Sequence, residues 1–496
     1  MQLKTISKFV LGAICGSFLT LSIYASADNG TPLTQANALQ LSNSIPMDEI
    51  SDFAKVYAIT KSYYVESISD TKLMKGAISG MLSNLDPHSD YLDVEDFRQL
   101  SEMTAGSFAG LGIEVSRDKS SGIKVVAPIY GTPAYLAGIK SGDLIVKIDG
   151  TPVSGLSLDG AIKRMRGKAG SAVRLSIIRA NELKPLDFNI VRANIQIKSV
   201  KSAMLNSDYG YIRITNFQAD TSNELAHAIT KLYKINPQLK GLVLDLRDDL
   251  GGLLQSAVGV AGAFLPKDSL IVYTDGRIQS SKQKFYAKPS DYDIDGTQLA
   301  ALTTIPAAFK TLPVVVLINE GTASASEIVA GCLQDYKRAK IIGTKSFGKG
   351  SVQTVIPLSA NTAIKLTTAL YYTPKGRSIQ AEGIAPNIIV ESEYNDLMDS
   401  WDMSEASLDK HLDNPLDAAF GKTPLLLESV PIIRPSKQIA TQAELKAKIA
   451  QRLKQVPKIV NQSQAQFDLK EDFQLQWALN ILQGKPLPAP SLITTK

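Results

Sequence analysis

The segment "EGTASASEI", from Glu320 to Ile328, places two serines, Ser324 and Ser326, directly after the apolar run "LPVVVLIN". A serine hydroxyl becomes a nucleophile only with a base beside it. The three histidines, His88, His227 and His411, are scattered without a shared motif, so lysine is the natural alternative base. Lys349, in "TKSFGKGSVQ", lies between Gly348 and Gly350, where bare backbone lets another segment come close. To take a proton near neutrality its pKa must fall by roughly 3 units, which requires burial and a hydrogen-bonded neighbour. Gln353 offers that neighbour: on a strand "SVQTVIPL" it points into a layer otherwise of Val and Ile, and a buried amide needs partners. Gly251 and Gly252, in "LDLRDDLGGLL", sit at another strand-to-helix transition and could bring a backbone N–H donor beside Ser324.

Each of these features has a plainer reading. "SASE" is a capping box, with Ser324 at the N-cap and Glu327 three residues on, and most such matches only cap helices. Most loop lysines are solvated, and paired glycines usually make a tight turn. Position separates the readings. A buried strand that turns into a helix puts Ser324 at the carboxyl end of a sheet, where ligands of α/β folds bind. The free N–H groups and positive dipole end of that helix suit a developing oxyanion.

The elements that must hold these residues follow from periodicity. "YGYIRIT", "LKGLVLDLR", "LPVVVLIN" and "AKIIGTK" read as strands. They alternate with helices over "TSNELAHAITKLYK", capped by Thr221 or Ser222, "GGLLQSAVGVAGAFL" and "SASEIVAGCLQDY". This alternation predicts a layered α/β core, and the continuous apolar runs predict parallel strands covered on both faces. "SVQTVIPL" and "AIKLTTALYYTP" come next as strands. Upstream, "MDEISDFAKVYAITKSYYV" and "DTKLMKGAISGMLSNL" have helical spacing and end at the turn "LDPHSDYL", where Ser89 or Asp90 is expected to cap the next element. Between these parts, from about 106, short strands around Ser-Ser-Gly and Asp-Gly turns and a Ser157-capped helix make a compact β-rich module. Beyond about 396 the chain turns polar and then helical, in "QAELKAKIAQRLKQ" and "DFQLQWALNILQG".

Five of these motifs, "LDPHSDYL", "LDLRDDLGGLL", "GTASASEIVAG", "GTKSFGKGSVQ" and "YYTPKGRSIQAEGIAPNI", together resemble the carboxyl-terminal processing (tail-specific) serine proteases, in order, over roughly 46–395. The module with "FAGLGIEV" and "YLAGIKSGDLIVKIDG" resembles their PDZ domain. The resemblance implies Ser324 as the nucleophile, Lys349 as its base and Gln353 as the support of the lysine. It also implies the backbone N–H groups of Gly252 and Ala325 as the oxyanion hole. The spacings, 25 residues from Ser324 to Lys349 and four more to Gln353, match the family pattern. The sequence departs from that pattern before the paired glycines, where Asp248, Asp249 and Leu250 replace the family's Asn or Asn-Pro. PDZ domains take a peptide as an added strand and hold its terminal carboxylate on backbone N–H groups, a role that falls here on Gly110, Leu111, Gly112 and Ile113.

The implied protein is an exported serine endopeptidase that cuts proteins near their C-termini, its PDZ domain recognising the substrate tail. It needs no metal or nucleotide cofactor. Lys4 and Lys8, the apolar "FVLGAICGSFLTLSIYA" and the small-residue site "ASA" predict a signal segment ending before Asp28. The mature body then lies in the periplasm or another extracytoplasmic space, held at the membrane if that segment stays uncleaved. Two cysteines, Cys15 and Cys332, leave at most one thiol after cleavage and no disulfide framework or zinc cluster. The net charge of +5 comes from 53 basic and 48 acidic residues without a basic stripe, which argues against nucleic acid as a partner. Expected partners are substrate tails, an adaptor protein and further copies of the chain. The expected organisation is a signal at 1–27, a leader at 28–45, a helical domain at 46–98, a PDZ domain at 99–185, the protease core at 186–395 and a helical C-terminal region at 396–496, suited to oligomer or partner contact. Two rival functions use the same motifs: a PDZ scaffold on an idle protease frame, and a Ser/Lys hydrolase of cell-wall peptides.

Overall fold

A computed structural model describes residues 46–118, 122–180, 182–293, 302–392, 404–420, 430–435 and 472–487. The export segment, the leader and the helix expected over 442–455 lie outside these residues. The chain forms two compact units. One is Gln99–Lys198, and the other is built from the flanking segments, up to Arg98 and from Ser199.

The larger unit is organised by a seven-stranded sheet. Its order from edge to edge is Val200–Met204, Tyr209–Ile214, Gly241–Asp245, Val314–Ile318, Ala339–Gly343, Ile388–Val390 and Ile432–Ile433. Only the first pair is antiparallel. "GLVLD" and "VVVLI" are buried at every position, as strands covered on both faces must be. Their side chains alternate between two cores. Leu242, Leu244, Val314 and Val316 face the helices Thr221–Ile235, Leu254–Phe264 and Ala325–Asp335. Val243, Val315 and Leu317 face the opposite side, where Leu475 and Ala478 of the helix Phe473–Leu482 cover them.

Of the described pieces beyond 396, Ile432–Ile433 extends this sheet and Phe473–Leu482 packs on its second face. The apolar second face of the sheet requires a cover, and Phe473–Leu482 provides it. Arg247 locks that helix in place with two bonds to the carboxylate of Asp472 at 3.0 and 2.7 Å. Two expected caps are corrected. Thr221 and Ser222 are buried inside the first turn of their helix, whose N-cap is Asp220. Asp90–Leu92 is a strand on Ala363–Tyr372, and Asp93 caps the next helix by accepting from Glu95 N and Asp96 N at 3.0 Å. The Asp90 backbone has a ladder to join, so the cap moves three residues on.

A second sheet lies in the same unit, in the order Asp90–Leu92, Ala363–Tyr372, Leu270–Asp275 and Gln283–Tyr286, with Ser351–Pro357 also paired to Ala363–Tyr372. That last pairing slips its register between Val352 and Gln353, which brings Gln353 opposite Thr367.

The smaller unit is a six-stranded sheet in the order Ile113–Arg117, Ile123–Pro128, Leu144–Ile148, Ala172–Ile178 and Leu186–Val191, with Thr151–Pro152 beside Leu144–Ile148. Its own core is built from Ile123, Val125, Ile145, Val173, Leu175 and Ile177, closed by Ala161 and Met165 of the helix Leu158–Met165. Ile113–Arg117 is an edge strand.

Candidate active site

Three parallel strands end together, at Asp245, Ile318 and Gly343, and the loops beyond them carry the candidate site residues. The middle loop ties down its neighbours. Thr322 Oγ1 donates to Leu246 O at 2.8 Å, and Phe347 N donates to Thr322 O at 3.0 Å. Ser324 comes next with φ 56° and ψ −115°, a left-handed conformation costly for a residue with a Cβ. The strain turns the chain sharply from loop to helix and leaves the Ser324 side chain half-buried, whereas Ser326 is fully buried and donates to Asp249 O at 2.9 Å.

The capping residue does more than cap. Glu327 is fully buried and accepts four hydrogen bonds. Ser324 N and Lys349 N reach Oε2 at 2.8 and 3.0 Å, while Ser346 Oγ and Gly348 N reach Oε1 at 2.6 and 2.7 Å. Burial pushes this carboxyl up to about 7, and the four donors oppose that shift. One side chain thus joins the serine helix to the lysine loop. Sequence reasoning finds Glu327 only as a helix cap, because the second set of donors is 19 to 22 residues away.

Lys349 Nζ donates to Gln353 Oε1 at 2.6 Å. Burial, and after it the like charge of Lys365, lower the amine from its ordinary 10.5 to about 8, against the pull of Glu405, Glu327 and Asp86. Among the described residues no hydrogen bond joins Ser324 Oγ to Lys349 Nζ. The two segments meet instead through Glu327 and through Tyr371, whose buried phenol donates to Lys349 O. Burial holds Tyr371 protonated, well above its ordinary pKa, while the nearby Ser324 side chain pulls the other way.

The glycine pair packs against the serine. A Cβ on Gly251 would lie 2.8 Å from both Ala325 N and Ser324 Cβ, and one on Gly252 would lie 2.1 Å from Phe217 O. A bridge to Phe217 uses Gly251 O and Leu253 N, so it leaves Gly252 N–H unspent. Ala325 N–H, at the first helical position, is likewise without a partner among the described residues. Asp248 takes φ 59° to make the bend, held by Asn319 at both its N–H and its carboxylate. Asp249 is buried, its Oδ2 has no hydrogen-bond partner among the described residues, and burial raises its carboxyl to about 7.

Residues that sequence reasoning does not assign to the site approach from both ends of the chain. Glu405 is buried, accepts from His88 Nε2 at 2.9 Å and from Gln380 Nε2 at 3.0 Å, and its N–H donates to Phe347 O at 2.9 Å. Gln380 Oε1 in turn accepts Gly350 N at 3.0 Å. The motif "LDPHSDYL" signals this cluster, but its partners at 380 and 405 cannot be read from spacing.

In the smaller unit, the carbonyls of Leu111 and Gly112 are occupied. Leu111 O accepts Ala134 N at 3.0 Å, and Gly112 O accepts Ile129 N at 2.9 Å. The N–H groups of both residues donate to nothing among the described residues. Gly112 has φ 75°, and a Cβ there would lie 2.3 Å from Thr132 Cβ, so only glycine fits. Gly110 precedes this turn, and Ile113 opens the edge strand.

Comparison with known proteins agrees with this architecture. The model of peptidase family S41 matches residues 208–390, that of the activating protease CtpB N-terminal domain matches 9–96, and a PDZ model matches 124–179. The chain is 43% identical over 407 residues to a carboxy-terminal-processing protease of Bartonella bacilliformis, which covers 81% of this chain and 88% of that protein. It is 35% identical over 391 residues to the carboxy-terminal processing protease CtpA of Bacillus subtilis, covering 79% and 78%. Among solved structures it resembles a photosystem II D1 C-terminal processing protease at 30% identity, over 67% of this chain and 86% of that one, with a TM-score of 0.37.

Proposed function

The chain belongs to the carboxy-terminal processing proteases of peptidase family S41 and is a serine-type peptidase, and from that premise we propose that Ser324 and Lys349 are its catalytic dyad. The observation that carries the proposal is the state of Lys349: half-buried, lowered to about 8 and held by Gln353 Oε1 at 2.6 Å. A lysine in that state is neutral often enough to act as a base.

In this reading Ser324 Oγ attacks the scissile carbonyl while Lys349 Nζ takes the hydroxyl proton. The developing oxyanion meets the Gly252 and Ala325 N–H groups, which have no other partner among the described residues and need no reorganisation. Lys349 then protonates the leaving amine, and the acyl-enzyme is hydrolysed by water through the same lysine. Gln353 positions Lys349. Glu327 sets the distance between the serine helix and the lysine loop.

The substrates we propose are proteins with free, apolar C-terminal tails. The tail adds to the open edge Ile113–Arg117, and its carboxylate sits on the N–H groups of the Gly110–Ile113 turn. The protein acts outside the cytoplasm after export. The helix Met47–Tyr63 buries none of its residues, with Ile50, Phe53, Val56 and Ile59 exposed, and this supports association with a second copy.

The experiment is cleavage of a folded protein carrying an unstructured apolar tail. The parent cuts, while Ser324→Ala, Lys349→Ala and Lys349→Arg do not, because arginine cannot give up its proton. Full activity in Lys349→Arg would end the dyad reading. Cleavage of purified cell-wall peptides but not of the tailed protein would favour the rival hydrolase.

A further inference from the structure

Asp86, in the turn between the N-terminal helices and the strand Asp90–Leu92, is buried and hydrogen-bonded to a residue 281 positions away. Thr367 Oγ1 donates to Asp86 Oδ1 at 3.1 Å. Oδ1 also accepts His88 N at 2.8 Å and Ser89 N at 2.9 Å, and Oδ2 accepts Ser89 Oγ at 2.7 Å. Every contact made by this carboxylate is as an acceptor. Burial pushes Asp86 up, but the bonds from Ser89, His88 and Thr367 outweigh it and hold the carboxyl below its usual value, so it is ionised at neutral pH.

The polarity of this cluster propagates. A hydroxyl has one proton, and that of Thr367 is spent on Asp86, so Thr367 Oγ1 can only accept on its other side. The group facing it there is the Gln353 amide, with Nε2 at 3.3 Å. The second amide proton goes to Ser351 Oγ at 3.0 Å. An amide is nearly symmetric in shape, so its neighbours decide which end is oxygen. With both protons committed, Oε1 must face Lys349 Nζ, where it lies at 2.6 Å.

We propose that the ionised Asp86 carboxylate, acting through the Thr367 hydroxyl, fixes the direction of the Gln353 amide and so keeps an acceptor on Lys349 Nζ. Asp86 and Thr367 are positioning residues that touch neither substrate nor the reacting atoms. A neutral lysine has two N–H bonds and one lone pair. Engaging an N–H with Gln353 aims the lone pair, whereas a reversed amide would present its own N–H groups to the amine. The N-terminal segment thus contributes to the chemistry through polarity as well as through packing. The inference rests on the reading of Lys349 and Gln353 as catalytic base and support.

Asp86 also holds its own turn, so the decisive variant is Thr367→Val. It removes the relay hydroxyl but keeps the Thr367 N–H bond to Ser89 Oγ and the bonds of Asp86 to His88 and Ser89. In steady-state cleavage of a tailed substrate by the full chain, Thr367→Val is expected to lower kcat about 10- to 100-fold with KM unchanged, and Thr367→Ser to restore it. Asp86→Asn keeps Oδ1 as the acceptor of His88 N, Ser89 N and Thr367 Oγ1, so the variant that removes the acceptor is Asp86→Ala. It is expected to show a loss at least as large, and the double variant Asp86→Ala/Thr367→Val no loss beyond that of Asp86→Ala, because one relay is broken once. Because a carboxylate at 353 accepts in either direction, adding Thr367→Val to Gln353→Glu at high pH should change kcat less than about twofold, and Thr367→Ala serves both comparisons if Thr367→Val fails to fold. Thr367→Val at parental kcat, multiplicative losses in the Asp86→Ala/Thr367→Val double variant, or a full Thr367→Val loss in the Gln353→Glu background would each overturn the relay, while inactive Lys349→Ala and Gln353→Ala left the dyad standing. Parental cleavage by Lys349→Ala would instead overturn the dyad and the relay with it.

Discussion

The backbone N–H groups of Ser324 and Lys349 converge on a single atom, Glu327 Oε2, at 2.8 and 3.0 Å. The separation of the Ser324 loop and the Lys349 loop is therefore set by one buried carboxylate. Glu327→Gln would present an amide NH2 to donors that expect an oxygen. It should cost about 2–4 kcal/mol of stability and lower kcat by about 100-fold or more. Chemical denaturation and single-turnover cleavage measure the two effects. Parental kcat in the Glu327→Gln variant would mean that the spacing has other determinants.

Ser324 occupies φ 56°, ψ −115°, a region that glycine enters far more readily. Ser324→Ala and Ser324→Gly should both abolish cleavage, but Ser324→Gly should be the more stable of the two by about 1–3 kcal/mol, the strain released at the turn. Equal unfolding midpoints would show that the surrounding loops, not this residue, carry the strain.

The pH dependence follows from Lys349. At about 8 its amine is mostly protonated at pH 7, so kcat/KM should climb roughly tenfold between pH 7 and a plateau above 9. Lys365 lowers that value through its like charge. Replacing it with Gln should raise the lysine's pKa and move the acid limb to higher pH at an unchanged plateau. A limb that stays in place would assign the shift to burial alone.

Asp249 is buried, and burial raises it to about 7. Its unfolded value is near 3.9, so between about pH 4 and 7 the folded state keeps a proton that the unfolded chain has lost. Stability should fall across that window, and the full cost should be present above it. Asp249→Asn removes the charge while keeping an oxygen for Gly251 N. Relative to the parent it should gain about 1–3 kcal/mol at pH 8 and nothing at pH 4, as read by urea unfolding. A gain of the same size at both pH values would point to packing instead of ionisation.

The α/β core is legible in the sequence because its strands are continuous apolar runs that cannot be solvated, and "VVVLI" is buried at every position. Ser324, Lys349 and Gln353 are legible as a set because they fall within 30 residues and on linked motifs. The third dimension of the site is hidden. Asp86 and Glu405 come from opposite ends of the chain to meet Thr367, His88 and Gln380, and no local period records such pairings. The role of Phe473–Leu482 is hidden for the same reason: its pattern says helix, and only the sheet says what it covers.

The turn Gly110–Ile113 leads into the edge strand Ile113–Arg117. Its carbonyls at Leu111 and Gly112 are bonded inward, to Ala134 N and Ile129 N, so the chain presents N–H groups in the other direction. Consecutive N–H groups in a tight turn form an anion site, and the edge strand beyond it is open to one more strand. A peptide with a free carboxylate satisfies both features, whereas an amidated peptide satisfies only the strand. Full-length Ser324→Ala protein, which binds without cutting, should therefore prefer a free-acid apolar tail over its amide by about tenfold, the worth of one charge-assisted contact. Gly112→Ala places a Cβ 2.3 Å from Thr132 Cβ at φ 75° and should abolish the preference by reshaping the turn. Fluorescence anisotropy with the two peptides reads both effects. Equal affinity for acid and amide in the parent would show that tails, if bound, are held by their side chains and not by their ends.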